Sequence, residues 1–174
     1  MSDKHLVVVI SGHGYGHAAM TAPLINALQA KHPRLKITIR TSVPAHFITN
    51  KYPATAEYLP DALDFGMQMN SAFSVDPVAS LQRYQEAHSD WPQAVEKEMQ
   101  RLQELKTDFL ISNIAYLPII AAHRLGIPSI AFGCLNWADI FEHYYSDTPE
   151  AQSIYQQMSE AYRACDLLIC PQPT

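Results

Sequence analysis

The sequence predicts one Rossmann-like α/β domain over residues 1–174: a mostly parallel sheet in three layers, with helices on both faces. Three observations carry that expectation. Apolar runs of strand length recur ("HLVVVIS" at 5–11, "DFLISNI" at 108–114, "PSIAFGC" at 128–134) with the near-continuous pattern of strands buried on both sides. Stretches of helical spacing alternate with them. The first strand also runs directly into a glycine-rich loop ahead of a helix, and open α/β sheets bind ligands at that carboxyl edge. A chain of 174 residues builds one sizeable core and is too short for two full-sized α/β domains.

Each element follows in order. After the strand at 5–11, Met20, Leu24, Ala27 and Leu28 fall at helical spacing and end in "KHP", which predicts a helix from 18 or 21 to about 31. Pro23 lacks the N–H of an interior helical residue, so either Thr21 caps a late start or the first turn is kinked. "LKITIRTS" at 35–42 alternates apolar and polar residues as a strand does. A short strand is expected near 56–59, and the stretch to 71 reads as loop. Asp76 followed by Pro77 starts a helix that "SDWP" at 89–92 restarts or kinks, and Val95, Met99 and Leu102 carry its second half to Lys106. Strand 108–114, the helical "AAHRLGI" stopped by Gly126, and strand 128–134 come next. A last helix begins at "DTPE", places Ile154, Met158, Ala161 and Cys165 on one face, and feeds the strand "DLLIC" at 166–170.

Composition narrows the function classes. The chain is 48% hydrophobic and 17% charged, with a formal net charge of -5 and no Lys/Arg cluster, so nucleic acid is not an expected partner. Its three cysteines, Cys134, Cys165 and Cys170, lack a C-x-x-C spacing and read as free thiols in a reducing cytoplasm. The apolar run near the amino terminus is too short for a signal peptide, and Asn113, Pro118, His123, Arg124 and Pro128 interrupt the richest apolar region. A cytoplasmic protein with no membrane span is expected.

The loop "SGHGYGHA" concentrates the chemistry. Gly12, Gly14 and Gly16 alternate instead of following G-x-G-x-x-G, and the second strand ends "IRTS" with no acid for a ribose, so a dinucleotide site is a poor match. No G-K-[ST] follows, which argues against a P-loop. His13 and His17 lack an evident third ligand for a metal. Neither a metal nor an organic cofactor is expected. Two readings remain: the glycines only make a tight turn beside solvated or capping histidines, or an imidazole stands at the cleft mouth as a general base near neutral pH.

The strand and "GYGHAAMTAPLINAL" after it resemble the start of the amino-terminal domain of two-domain, GT-B type glycosyltransferases. More specifically, "SGHGYGHA" with "GIPSIAFGCLNWADIFEHY" and "DFGMQ" at 64–68 is similar to the glycosyltransferase-like amino-terminal half of plant L-arabinokinases and their bacterial relatives, over nearly the whole chain. The resemblance implies an acceptor-side domain for a small molecule or glycan, with a nucleotide-sugar donor held by a carboxyl-terminal domain. It makes His17 the base that takes the acceptor proton. The acid that orients this base should follow "DFLIS", where this sequence has Asn113; an amide can hydrogen-bond an imidazole but brings no charge. The chain stops at "CPQPT", about where a linker to the donor domain would begin, so that domain is expected to be absent.

Gly12, His13, Gly14, Tyr15 and Gly16 are expected to line the acceptor cleft together with "GCLNWADIFEHYY" at 133–145. There Trp137 suits stacking on a sugar, while Asn136 and Asp139 suit its hydroxyls. The same residues also read as a helix start, with Asn136 as cap and Trp137 as core anchor. The competing function class is a non-catalytic sugar or nucleotide binding module.

Overall fold

The computed structural model describes residues 4–61, 63, 64, 66–71 and 73–171; Phe65 of "DFGMQ" and the chain ends at 1–3 and 172–174 lie outside the described residues. The central strand is β1 (His5–Ile10). On one side of it lie β2 (Lys36–Thr41) and β3 (Glu57–Pro60), and on the other β6 (Phe109–Asn113), β7 (Ser129–Phe132) and β8 (Leu167–Ile169). The six strands run in the order β3-β2-β1-β6-β7-β8, every neighbouring pair parallel. The chain therefore builds outward from β1 in one direction, then returns to its other side. This leaves a topological switch point between the carboxyl ends of β1 and β6, where ligands of open α/β sheets bind.

β1 shows why its sequence is apolar throughout. Val7 and Val9 enter one core and Leu6, Val8 and Ile10 the other, all within 4% of full burial. Helices α1 (Gly16–Lys31) and α2 (Ala45–Lys51) supply the second core. The first is covered by α3 (Pro77–His88), α4 (Trp91–Glu104), α5 (Leu117–Leu125), α6 (Trp137–Tyr145) and α7 (Gln152–Arg163). Helices thus lie on both faces of a parallel sheet, as the sequence predicts.

Several details differ from the sequence-based expectation. α1 begins at Gly16 and runs through Pro23, and Thr21 does not cap it: its hydroxyl donates to the His17 carbonyl at 2.8 Å, within the helix. α2 was not anticipated, because seven residues with one buried side chain, Ile48, leave too little periodicity to read. Part of the expected loop forms a two-stranded antiparallel hairpin, β4 (Met69–Ser71) with β5 (Ser74–Val75). At "SDWP" the helix restarts. Asp76 accepts from the Ala79 N–H at 2.9 Å and Asp90 from the Gln93 N–H at 3.1 Å, so each helix has its own cap and an early proline. Gly126, in the left-handed region at φ 67°, closes α5 as expected.

Three polar residues of β2, Thr38, Arg40 and Thr41, are buried as well. Arg40, 1% exposed, is held by Glu98 of α4 at 2.6 Å and 3.0 Å and by Asp61 at 2.7 Å and 3.1 Å, so the guanidinium is fully partnered under the sheet.

Candidate active site at the switch point

Two strand ends and one helix start create the site. Beyond β1 the pairing continues one residue further, the Ser11 N–H donating to the Asn113 carbonyl at 3.1 Å. The chain then leaves the sheet through Gly12, which lies against Ser42, and turns at Gly14, whose N–H donates to the Gly12 carbonyl at 2.9 Å. Gly14 has φ +83°, a conformation costly to any residue with a Cβ. Gly16 then opens α1 and places His17 in its first turn.

On the neighbouring strand β6 ends at Asn113, which is completely buried, and the next residue, Ile114, holds φ 59°. A β-branched residue in that region carries roughly 1–3 kcal/mol of strain. The surroundings impose it: the Tyr162 hydroxyl donates to the Ile114 carbonyl at 2.5 Å, and the Ser112 hydroxyl to the Ala115 carbonyl at 2.5 Å. The strained turn fixes where Asn113 points.

His17 Nδ1 and Asn113 Oδ1 are 2.8 Å apart. The amide is oriented by its other end, since Asn113 Nδ2 donates to Thr21 Oγ1 at 2.7 Å and the Thr21 proton is already committed to the His17 carbonyl. Oδ1 therefore faces the imidazole, and Nδ1 carries the proton that it accepts. Nε2 is left as an unprotonated acceptor with no hydrogen-bond partner among the described residues. Burial lowers the His17 pKa from its ordinary value, as does His13, while the Asn113 bond and the charge of Asp64 act in the opposite sense.

A third segment closes on the pair. Asp64, 8% exposed, accepts from the Ser11 hydroxyl at 2.8 Å and from Trp137 Nε1 at 2.9 Å. Gly66, at φ +60°, lets the same segment lie on two aromatic rings: a Cβ there would come within 2.7 Å of both His13 Nδ1 and Trp137 Cη2. His13 in turn meets Trp137 edge-on, with ring centroids 5.3 Å apart, and His17 lies 6.5 Å from the indole. Tyr162 joins the two halves, accepting from the Trp137 N–H at 3.1 Å while donating to Ile114.

The structure places His13, His17, Asn113 and Trp137 together at the switch point, and the contacts of the neighbouring candidates show what else they do. Trp137 is 3% exposed, so its indole anchors the site from within and offers no open face for a sugar. Asn136 caps α6, accepting from the Asp139 N–H at 2.9 Å and donating to the Asp139 carboxylate at 2.7 Å. The helix start satisfies both residues. Tyr15, half exposed, packs on Phe47 of α2 with ring centroids 4.9 Å apart. Asp64 and Tyr162 were not singled out as site residues; "DFGMQ" was the one sequence signal for the former, and nothing in the sequence distinguishes Tyr162 from the other tyrosines.

Two cavities lie elsewhere. One of about 510 Å³ surrounds the Arg40 ion network, and one of about 1030 Å³ is lined by apolar residues including Leu6, Phe109 and Leu167. Neither includes a residue of the glycine loop. Among the described residues no group of three or more His, Cys, Asp or Glu could hold a metal ion, and no helix is long and apolar enough to cross a membrane.

Comparison with known proteins converges on one fold. No protein-family model matches the chain. L-arabinokinase of Arabidopsis thaliana is 30% identical over 182 residues, which cover 99% of this chain and 17% of that protein. Among solved structures, Phytolacca americana UGT2 complexed with UDP-2fluoro-glucose and pterostilbene superposes with a TM-score of 0.56 at 15% identity, covering 98% of this chain and 48% of that one. Acinetobacter baumannii MurG gives 0.53 at 13%, covering 98% and 42%, and S. aureus MnaA with UDP gives 0.55 at 16%, covering 97% and 38%. The chain spans less than half the length of each of these proteins. At such identities the structures share a fold, and the sequence adds the narrower likeness. The chain is a Rossmann-like domain of the GT-B glycosyltransferase fold, similar in sequence along its length to a segment of L-arabinokinase.

Proposed function

We propose that this domain is the acceptor side of a glycosyltransferase-like protein and that His17 is its general base. The observation that carries this reading is the His17–Asn113 pair at the switch point, which leaves Nε2 without a hydrogen-bond partner among the described residues, where a ligand of this fold would lie. An acceptor hydroxyl would donate to Nε2. As its oxygen bonds to the anomeric carbon of the donor sugar, the carbon–oxygen bond to the nucleotide breaks and the proton passes to Nε2. Asn113 holds the ring so that Nε2 presents its lone pair to that hydroxyl before the transfer. The nucleotide-sugar would be brought by a second domain, in keeping with the greater length of the relatives and with the UDP ligands of two of the structural neighbours.

A second reading, a sugar or nucleotide binding module without transfer, is favoured by the amide at position 113, which brings no charge to the imidazole. The relative's name supplies the first sugar to test, L-arabinose. Titrating L-arabinose and other free sugars into 15N-labelled protein should shift resonances of Gly14, Tyr15, His17 and Asn113 before others. Shifts confined to the apolar cavity at Phe109 and Leu167, or to the Arg40 network, would contradict the site.

A further inference from the structure

We propose that Asp64 supplies the negative charge that stabilises His17 when its imidazole takes a proton, so that orientation and charge come from two separate residues, Asn113 and Asp64. This rests on the reading of His17 as a base. The geometry points to a carboxylate with a donor on each oxygen, held under cover. Asp64 is 8% exposed, and each of its oxygens faces a donor: Oδ1 the Ser11 hydroxyl at 2.8 Å, Oδ2 the indole N–H of Trp137 at 2.9 Å. Indole nitrogen can only donate. The Ser11 oxygen receives the His13 N–H at 3.3 Å, which turns its own proton toward Asp64. A proton on the carboxylate would weaken both bonds, since each is strengthened by the acceptor's charge.

The surroundings leave Asp64 as the negative partner of His17. From the glycine loop the charge of His13 disfavours the charged form of His17; from β6 comes the neutral Asn113, and from α6 the neutral Trp137. Ser11, Trp137 and the Gly12 N–H donate to Asp64 and the charge of His17 favours its ionised form, while burial keeps the phenols of Tyr84, Tyr116 and Tyr162 neutral. Burial is the largest influence and leaves the Asp64 pKa above its ordinary value, while Trp137, Ser11, His17 and the Gly12 N–H act in the opposite sense. Gly66 is what brings the segment this close, because any side chain there would meet His13 and Trp137.

Ring 15N and side-chain carboxyl 13C NMR over pH 5 to 9 on residues 1–174 tests this without any transfer reaction. In the unmodified protein Asp64 should be ionised at neutral pH and should show an inflection at the His17 titration. In Asp64→Asn the His17 pKa should fall by about one unit, the lower end of the effect of a nearby opposite charge, while Nδ1 keeps its proton. A purely structural anchor would not shift that titration. An Asp64 carboxyl protonated at neutral pH, or a His17 titration unmoved in Asp64→Asn, would overturn the proposal. If the coupling is observed but His17→Ala transfers sugar normally in the donor-bearing protein, the base assignment fails and the charge pairing stands.

Discussion

At the scale of single residues, Asn113 decides how His17 behaves. Its carbonyl oxygen takes the Nδ1 proton and its NH₂ group is spent on Thr21, so the amide fixes a tautomer without adding charge. Replacing it by the acid that the resemblance implies should separate those roles. Asn113→Asp is expected to keep the Nδ1–H tautomer and raise the His17 pKa by about 1–3 units, read by ring 15N titration; a fall would mean that the carboxylate does not face the ring. The position of Asn113 opposite His17 was legible because the resemblance places the residue that orients the base directly after "DFLIS". Asn136, Trp137 and Asp139 show the limit. Lying within four positions of one another after a strand, they suggest a shared ligand, yet a cap draws Asn136 and Asp139 to each other and burial takes the indole inward. Asp64 could be read only as part of "DFGMQ", with nothing to place it in the site. Its partners, Ser11 and Trp137, lie 53 and 73 positions away, joined by a segment with no periodic pattern.

At the scale of elements, two glycines divide folding from function. Gly66 has positive φ and no space for a Cβ, whereas a Cβ on Gly16 would meet nothing within 4 Å and its φ lies outside the positive range. Gly16→Ala should therefore leave Tm unchanged or slightly higher, alanine being the better helix former, yet weaken sugar binding by crowding the cleft. Calorimetry checks both halves, and unaltered affinity would show that no ligand approaches the start of α1. The strands and longer helices could be read from apolar runs and caps because each buries a continuous face. α2 and the β4–β5 hairpin could not, since elements of two to seven residues carry too few buried side chains for a pattern to repeat.

At the scale of the whole molecule, the sheet order turns separate motifs into a site. His17 and Asn113 are 96 positions apart and meet because β1 and β6 pair at the switch point. Burial of titratable groups around that sheet also links stability to pH. His88, packed on Trp91 with ring centroids 4.7 Å apart, donates through Nδ1 to Gln157 at 2.6 Å and accepts at Nε2 from Tyr116 at 2.9 Å, and burial lowers its pKa below 6.5. Below 6.5 the unfolded chain binds a proton that the folded one resists, so this stabilisation is complete above the unfolded value and is lost as pH falls toward the folded one. The Tm advantage of the wild type over His88→Gln should accordingly shrink on going from pH 7.5 to 5.5; a growing difference would show that His88 is charged in the fold.

The account turns on whether His17 takes the acceptor proton. The most direct measurement is the turnover of His17→Ala against wild type in a protein that includes both this domain and a donor-binding domain, with circular dichroism confirming the fold. Turnover should fall by about 10²–10⁴-fold, the usual contribution of a positioned general base, with the fold intact because a half-buried imidazole at a helix start adds little to the core. An unchanged rate would contradict the account.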